Sequence, residues 1–301
     1  QTVCEKLGHP EVCETVAQGL RQKGFDSVVV EGYRGGCVVG EDMLVQARDI
    51  FRAAGLETIG GLMPVYGDGF GVRAEGNELR LPTFCYSREE TVSALEDVIC
   101  HAARVFGTVV IDDAFMTACR CSVCDANRRG VAWDVFRRDL LGRVASRWVA
   151  AAHAANPSAV VIVKFPQYYD RYHRFGYDAI QFPRIFDRVW QGTETRDPAT
   201  LDYGFVEQYQ AYVNFRWMRA CAGDKLEGAW FDYLDCDEQL FYEQAVTTHL
   251  GAPSRVIVFC YNEPLISGSM LNRVLDAKPV LNTLCAIAES PVGVNVVKPP
   301  H

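Results

Sequence analysis

The chain has 301 residues, 49% of them hydrophobic, and a formal net charge of −8. That length suits one large domain or two small ones, single α/β barrels often reach this size, and a sizeable core is possible. The acidic balance leaves no basic footprint for nucleic acid, and no apolar run approaches the roughly 18 residues of a membrane span, so neither partner is expected.

In chain order, apolar runs of four to six residues precede amphipathic stretches of ten or more. That alternation is the mark of βα units around a parallel sheet. A first helix is predicted from Pro10 to Lys23, with Pro10 in its first turn and Gly24 as its stop. "SVVVE" (27–31) is the first strand, "EDMLVQARDIFRAA" its helix, and "TIGGLMPV" (58–65) the second strand. A Gly-rich hairpin insertion follows near 66–82, and Ser87 with Glu90 forms a capping box for the next helix. "TVVID" (108–112) is the third strand, and "AWDVFRRDLLGRVASRWVAAAHAA" a long helix. The remaining strands are "AVVIVKF" (159–165), "RVWQGTE" (188–194), "GAWFDY" (228–233), "RVIVFCY" (255–261) and "GVNVVK" (293–298), the last closing beside the first. Eight strands with intervening helices predict an α/β fold, a (β/α)8 TIM barrel in a single domain over 1–301. No G-x-G-x-x-G follows the first strand, so a dinucleotide-binding sheet lacks support and no organic cofactor is expected.

Active sites of such barrels lie at the carboxyl ends of the strands, so those ends carry the functional reading. The first strand ends in Glu31, followed by Tyr33 and Arg34; the third ends in Asp112 and Asp113. The fourth carries Lys164, then Gln167 and Tyr168. The fifth ends in Glu194, Arg196 and Asp197; the sixth carries Asp232; the seventh is followed by Asn262 and Glu263. Like charges grouped in a half-closed mouth raise some pKa values, which suits a proton donor. Trp190, Trp230, Tyr33 and Tyr168 are candidate platforms for sugar faces, with Glu31, Arg34, Asp112, Lys164 and Arg196 as further substrate contacts. Asp112 and Asp113 are neighbours on a strand, so at most one points into the mouth. The "NEP" of 262–264 matches a motif of barrel glycosidases but follows the wrong strand, and is treated as chance. His173 and His249 have no partner at fixed spacing and read as surface or helix histidines.

Twelve cysteines are present. Cys13, Cys100, Cys221, Cys260 and Cys285 fall inside predicted elements and read as small core residues, which points to a reducing, cytoplasmic setting. No signal peptide is visible. Cys119, Cys121 and Cys124 are different: C-x-C-x2-C in one loop gathers three thiols, and Cys85 in the preceding loop supplies a fourth. Four thiolates suit a structural zinc; a Cys119–Cys124 disulfide and free thiols are the alternatives.

Taken together, "VVIDDAFMTACRCSVC", "VIVKFPQYYDRYHRFGYD", "IFDRVWQGTETRDP", "GAWFDY" and "VGVNVVKPP" resemble a group of bacterial barrel proteins classed as hypothetical glycosyl hydrolases. The resemblance spans about Val28 to Pro300, with "GTETRDP" its most distinctive piece. It implies a (β/α)8 barrel acting on a carbohydrate, and relatives that carry further domains after the "KPP" segment. It brings no catalytic pair.

The resulting expectation is a glycoside hydrolase working through two carboxylates: Glu194 with Asp232 or Asp113, and Glu31 as the next candidate. Arg196 would hold Glu194 ionised, and Trp230 would keep Asp232 protonated as the acid. Two rivals stand beside it: a non-catalytic carbohydrate-binding barrel, and a lyase or aldolase using Lys164.

Overall fold

The structure is a computed structural model that describes residues 6–76, 81–199, 207–259 and 268–288. The chain divides into two compact units, Gln1–Val163 with Arg171–Asp187, and Lys164–Asp170 with Arg188–His301.

In the first unit the strands are β1 (Ser27–Arg34), β2 (Cys37–Val38), β3 (Glu57–Met63), β4 (Thr108–Ile111) and β5 (Val160–Phe165), whose last two residues begin the second unit. β1 pairs with β3, β3 with β4 and β4 with β5, all in parallel. The short β2 turns back antiparallel on β1, pairing Tyr33 with Val38. It was not expected; Gly35 and Gly36, both at positive φ, make the turn possible. The helices are α1 (Pro10–Gln22), α2 (Glu41–Ala53), α3 (Glu89–Phe106), α4 (Ser122–Arg128), α5 (Trp133–Ala155), α6 (Tyr172–Phe175) and α7 (Phe182–Ile185). On α3, Val92, Leu95, Val98, Ile99, Ala102 and Phe106 recur at three- and four-residue spacing and are buried. That stripe is why the segment is a packed helix. β3 is buried along six consecutive residues, as a parallel strand covered on both faces must be. Gly61 on it leaves room for Glu31: a Cβ there would lie 3.2 Å from the Glu31 Cγ.

The capping box does not form. The N-cap of α3 is Arg88, without a side-chain bond to the helix, and the Ser87 hydroxyl instead accepts from Cys124 Sγ at 3.2 Å. The pull of the thiol site outweighs the cap.

In the second unit β6 (Arg188–Gly192) pairs with β7 (Leu226–Phe231), and β7 with β8 (Arg255–Val258), again in parallel. Its helices are α8 (Gln210–Ala222), α9 (Glu238–His249), α10 (Ser269–Asp276) and α11 (Lys278–Ala288). Strand ends predicted at Glu194 and Tyr233 fall two residues later than the observed ends at Gly192 and Phe231, and the end predicted at Tyr261 lies outside the described residues. The polar residues there leave the ladder to form the loops. The strand predicted at 293–298 and the "NEP" of 262–264 lie outside the described residues. No helix among the described residues is long and apolar enough to cross a membrane.

Candidate functional site

Two chemical centres stand out, one in each unit, and each follows from local structure. In the first unit, Cys121 is the N-cap of α4, and its sulfur accepts the backbone N–H of Cys124 at 3.5 Å. An N-cap side chain turns back over the first turn, so C-x2-C in this position brings both sulfurs to one side. Cys119 lies just before, its sulfur accepting the Glu75 N–H at 3.4 Å. Cys85 is fixed by its own N–H, which bonds the Val72 carbonyl at 2.8 Å. Its sulfur lies 3.7 Å from that of Cys121 and 3.6 Å from that of Cys124. All four sulfurs fall within 4.8 Å of one another, and all four residues are buried. The four cysteines predicted as one cluster are thus brought together. Hydrogen bonds from Cys124 and then Cys85 favour the Cys119 thiolate and hold its pKa below the ordinary thiol range. Such a set is suited to holding a soft tetrahedral cation.

The first unit also holds five of the predicted polar and aromatic positions. Glu31 is gripped by Arg34 through two bonds of 2.7 and 2.5 Å. Tyr33 is fully buried, its hydroxyl donating to the Val65 carbonyl at 2.9 Å and its ring 4.5 Å from that of Phe70. Burial pushes its phenol up to about 12. Asp112 is buried at the end of β4, its N–H bonded to the Leu62 carbonyl. Asp113 is half-buried, its carbonyl accepting the Tyr177 hydroxyl.

The centre of the second unit is built where β6 and β7 end. Thr193 ties the two strand ends together: its N–H bonds the Trp230 carbonyl at 2.9 Å and its hydroxyl reaches Thr248 at 2.7 Å. Beyond it, Glu194 and Asp232 are each only 1% exposed. Arg196 stands beside both. Its guanidinium forks onto Asp232, Nε to Oδ1 at 3.0 Å and Nη2 to Oδ2 at 2.6 Å, while the same Nη2 is 3.7 Å from Glu194 Oε1. The arginine expected to hold Glu194 ionised therefore serves Asp232. Glu194 Oε2 is buried with no hydrogen-bond partner among the described residues. Burial lifts the Glu194 carboxyl to about 8; the Arg196 charge opposes the rise and the Asp232 charge adds to it. Gly192 is what lets this carboxyl sit so deep. A Cβ there would meet Glu194 Oε2 at 2.5 Å and the Gln167 N and Phe165 O backbone atoms at 3.0 Å.

Lys164, near the end of β5, is buried with its ammonium 3.7 Å from the Trp230 ring centroid and 4.8 Å from that of Phe259. The Trp230 indole N–H points to the Phe165 carbonyl at 3.3 Å. Trp190 is buried, donating to Glu227 at 2.8 Å. Tyr168 is half-buried after Gln167, whose carbonyl accepts Asn214 at 2.6 Å.

One member of this centre was missed. Gln244 on α9 is fully buried and bonds the loops bearing Arg196 and Asp232. The only trace of it in the sequence is a polar residue on the helical face of Phe241 and Thr248, where an apolar one would ordinarily pack.

The family "Probable glycosyl hydrolase, catalytic domain" matches residues 1–275. The chain belongs to that family. The domain is also 22% identical over 245 residues to an uncharacterised protein of Saccharolobus solfataricus, covering 74% of the chain and 40% of that relative's length. Among solved structures it is similar to a cold-adapted β-galactosidase from Rahnella sp. R3 (TM-score 0.66, 13% identity, 95% of this chain and 56% of that one). It is also similar to an exo-β-1,4-mannosidase from Opitutaceae bacterium strain TAV5 (TM-score 0.58, 10% identity, 91% and 56%). At such identities the likeness carries the fold alone: the domain has an α/β fold of the TIM-barrel class, as its strand order suggested. The chain spans about half the length of these structures.

Proposed function

We propose that this domain hydrolyses glycosidic bonds with Glu194 as the proton donor and Asp232 as its ionised partner. The observation that carries the reading is the inequality of the two carboxyls around one arginine. Glu194 is buried, has an oxygen unbonded among the described residues and is lifted to about 8, so it holds a proton at neutral pH. A general acid needs that state in order to protonate the departing glycosidic oxygen. Asp232 is forked by Arg196 and offers fixed negative charge to the oxocarbenium-like transition state. The roles are the reverse of those suggested by residue order alone. Lys164 supports the arrangement as a buried cation whose charge is felt at Glu194. The Schiff-base alternative needs Lys164 to be trapped by borohydride in the presence of a carbonyl substrate. The substrate is a carbohydrate, and β-galactosides and β-mannosides head the screen because two similar structures carry those activities in their names. Glu194→Gln and Asp232→Asn should each lower turnover by about 10² or more on the glycoside that the wild type cleaves. Near-wild-type turnover in both folded variants would sink the pair.

The cysteine cluster is assigned a structural zinc. A tetrahedral zinc with Zn–S near 2.3 Å sets its sulfurs about 3.8 Å apart. The 3.6 and 3.7 Å separations from Cys85 fit that figure. The N–H donors of Glu75 and Cys124 supply the outer bonds that thiolate ligands take. Keeping four thiolates reduced suits a cytoplasmic setting. Elemental analysis should find one zinc per chain.

A further inference from the structure

We infer that Gln244 is a positioning residue: its side-chain amide holds the Thr195–Arg196 backbone and the Asp232 backbone in the one arrangement that aims the Arg196 fork at Asp232. The inference rests on the reading of Glu194 and Asp232 as the working pair.

The amide of Gln244 is fully used. Its Oε1 accepts the N–H of Thr195 at 3.0 Å and of Arg196 at 3.2 Å. Its Nε2 donates to the Asp232 carbonyl at 3.0 Å and to Cys236 Sγ at 3.0 Å. A primary amide has two acceptor lone pairs and two donor hydrogens, so all four are engaged on two loops that leave different strands. No other side chain of this size offers both sets at once.

The second observation is strain at the residue so held. Arg196 has φ +50, in the left-handed region that side-chain-bearing residues seldom adopt. Such a conformation persists only where its surroundings over-determine it. Here the bond on the Arg196 N–H comes from Gln244. With that bond gone the backbone is free to return to an ordinary conformation, and the guanidinium leaves Asp232. The charged groups around Glu194 are then altered at one point. Lys164 on β5 and Asp232 after β7 remain, and the Arg196 cation withdraws.

A purely structural Gln244 would satisfy buried backbone groups and do nothing more. The two roles separate experimentally. Gln244→Met keeps the volume and removes all four bonds. It should fold, cut kcat about 10-fold or more with KM changed less than about 2-fold, and move the Glu194 carboxyl titration to higher pH. The titration, followed by carboxyl carbon-13 shifts with Glu194→Gln as the assignment control, needs no substrate. In an Arg196→Gly background, where glycine tolerates the left-handed backbone and the fork is already gone, Gln244→Met should cost less than about 2-fold further. Equal losses in both backgrounds with an unmoved titration would overturn the inference even if Glu194→Gln abolishes activity. Should no glycoside be cleaved at all, the hydrolase reading fails by itself and the titration still decides the clamp. If Gln244→Met does not fold, Gln244→Ala, which breaks the same four bonds and leaves room for water to satisfy the freed backbone groups, carries the same test.

Discussion

The four thiols of the first unit and the two carboxyls of the second are both buried clusters of like groups, yet they resolve the crowding in opposite ways. The sulfurs face one another at 3.6–3.7 Å, and backbone N–H groups support them. Four thiolates so placed would be neutralised from the centre by a soft cation. The carboxyls are instead made unequal. Arg196 takes one of them in a fork and leaves an oxygen of the other with no hydrogen-bond partner among the described residues. The symmetric cluster suits a bound cation and the asymmetric one a retained proton, which are the roles proposed for them.

The comparison breaks most visibly if the thiol cluster survives without metal. Cys119→Ser should lower the zinc content to well below one per chain and cost on the order of 3 kcal/mol of stability, since a buried four-thiolate site loses its organising ion. Exhaustive chelation of the wild type should lower Tm in the same direction. Unchanged melting in chelator, with no zinc found, would leave the cluster as four free thiols.

The next largest effect tests the asymmetry in catalysis. A loss of about 10² in turnover corresponds to about 2.7 kcal/mol of transition-state stabilisation. Asp232→Asn removes the anion that the Arg196 fork holds, so it should also weaken folding. Glu194→Gln should not, because a neutral amide replaces a neutral acid. Equal stability losses in the two would mean that the carboxyls are alike.

How much of this was legible follows from the same contrast. The cluster of Cys85, Cys119, Cys121 and Cys124 could be read because ligand spacing along the chain is itself the geometry: an N-cap position and the residue three on converge in any helix start. The strands could be read because parallel strands covered on both faces are continuous apolar runs, as β3 is. Glu194, Arg196 and Asp232 could be named as strand-end residues. That the Arg196 fork goes to Asp232 could not, since it depends on a left-handed Arg196 and on Gln244, nearly fifty residues further along. The capping box at Ser87 misread a hydroxyl that the thiols claim. The turn to β2 left no apolar pattern because two residues suffice to form it.

Stability should report the retained proton without any substrate. Glu194 is lifted to about 8 by burial, above its ordinary value of 4.5. Folding therefore favours the protonated form. The contribution is fully present below about pH 4.5 and is lost as pH rises through about 8. Glu194→Gln has no such titration. The stability of the wild type relative to this variant should fall by roughly 4 kcal/mol between pH 5 and pH 9. Parallel curves would remove the raised carboxyl, and with it the argument for an acid at this position.

The smallest effect concerns how Glu194 comes to be so deep. Gly192 ends β6 with no side chain, and a Cβ there would stand 2.5 Å from Glu194 Oε2 and 3.0 Å from two backbone atoms. Gly192→Ala must displace the carboxyl, the backbone or both, at a cost of about 1–2 kcal/mol. If the carboxyl moves, it goes toward better-solvated surroundings, and its pKa falls toward the ordinary range. The alkaline limb of the pH–rate profile should then shift to lower pH while the fold persists by circular dichroism. The same substitution in Glu194→Gln should cost a similar amount of stability without any shift in titration. A limb that stays in place in Gly192→Ala, in a protein destabilised to the expected degree, would mean that the strand gave way and the depth of Glu194 is set elsewhere.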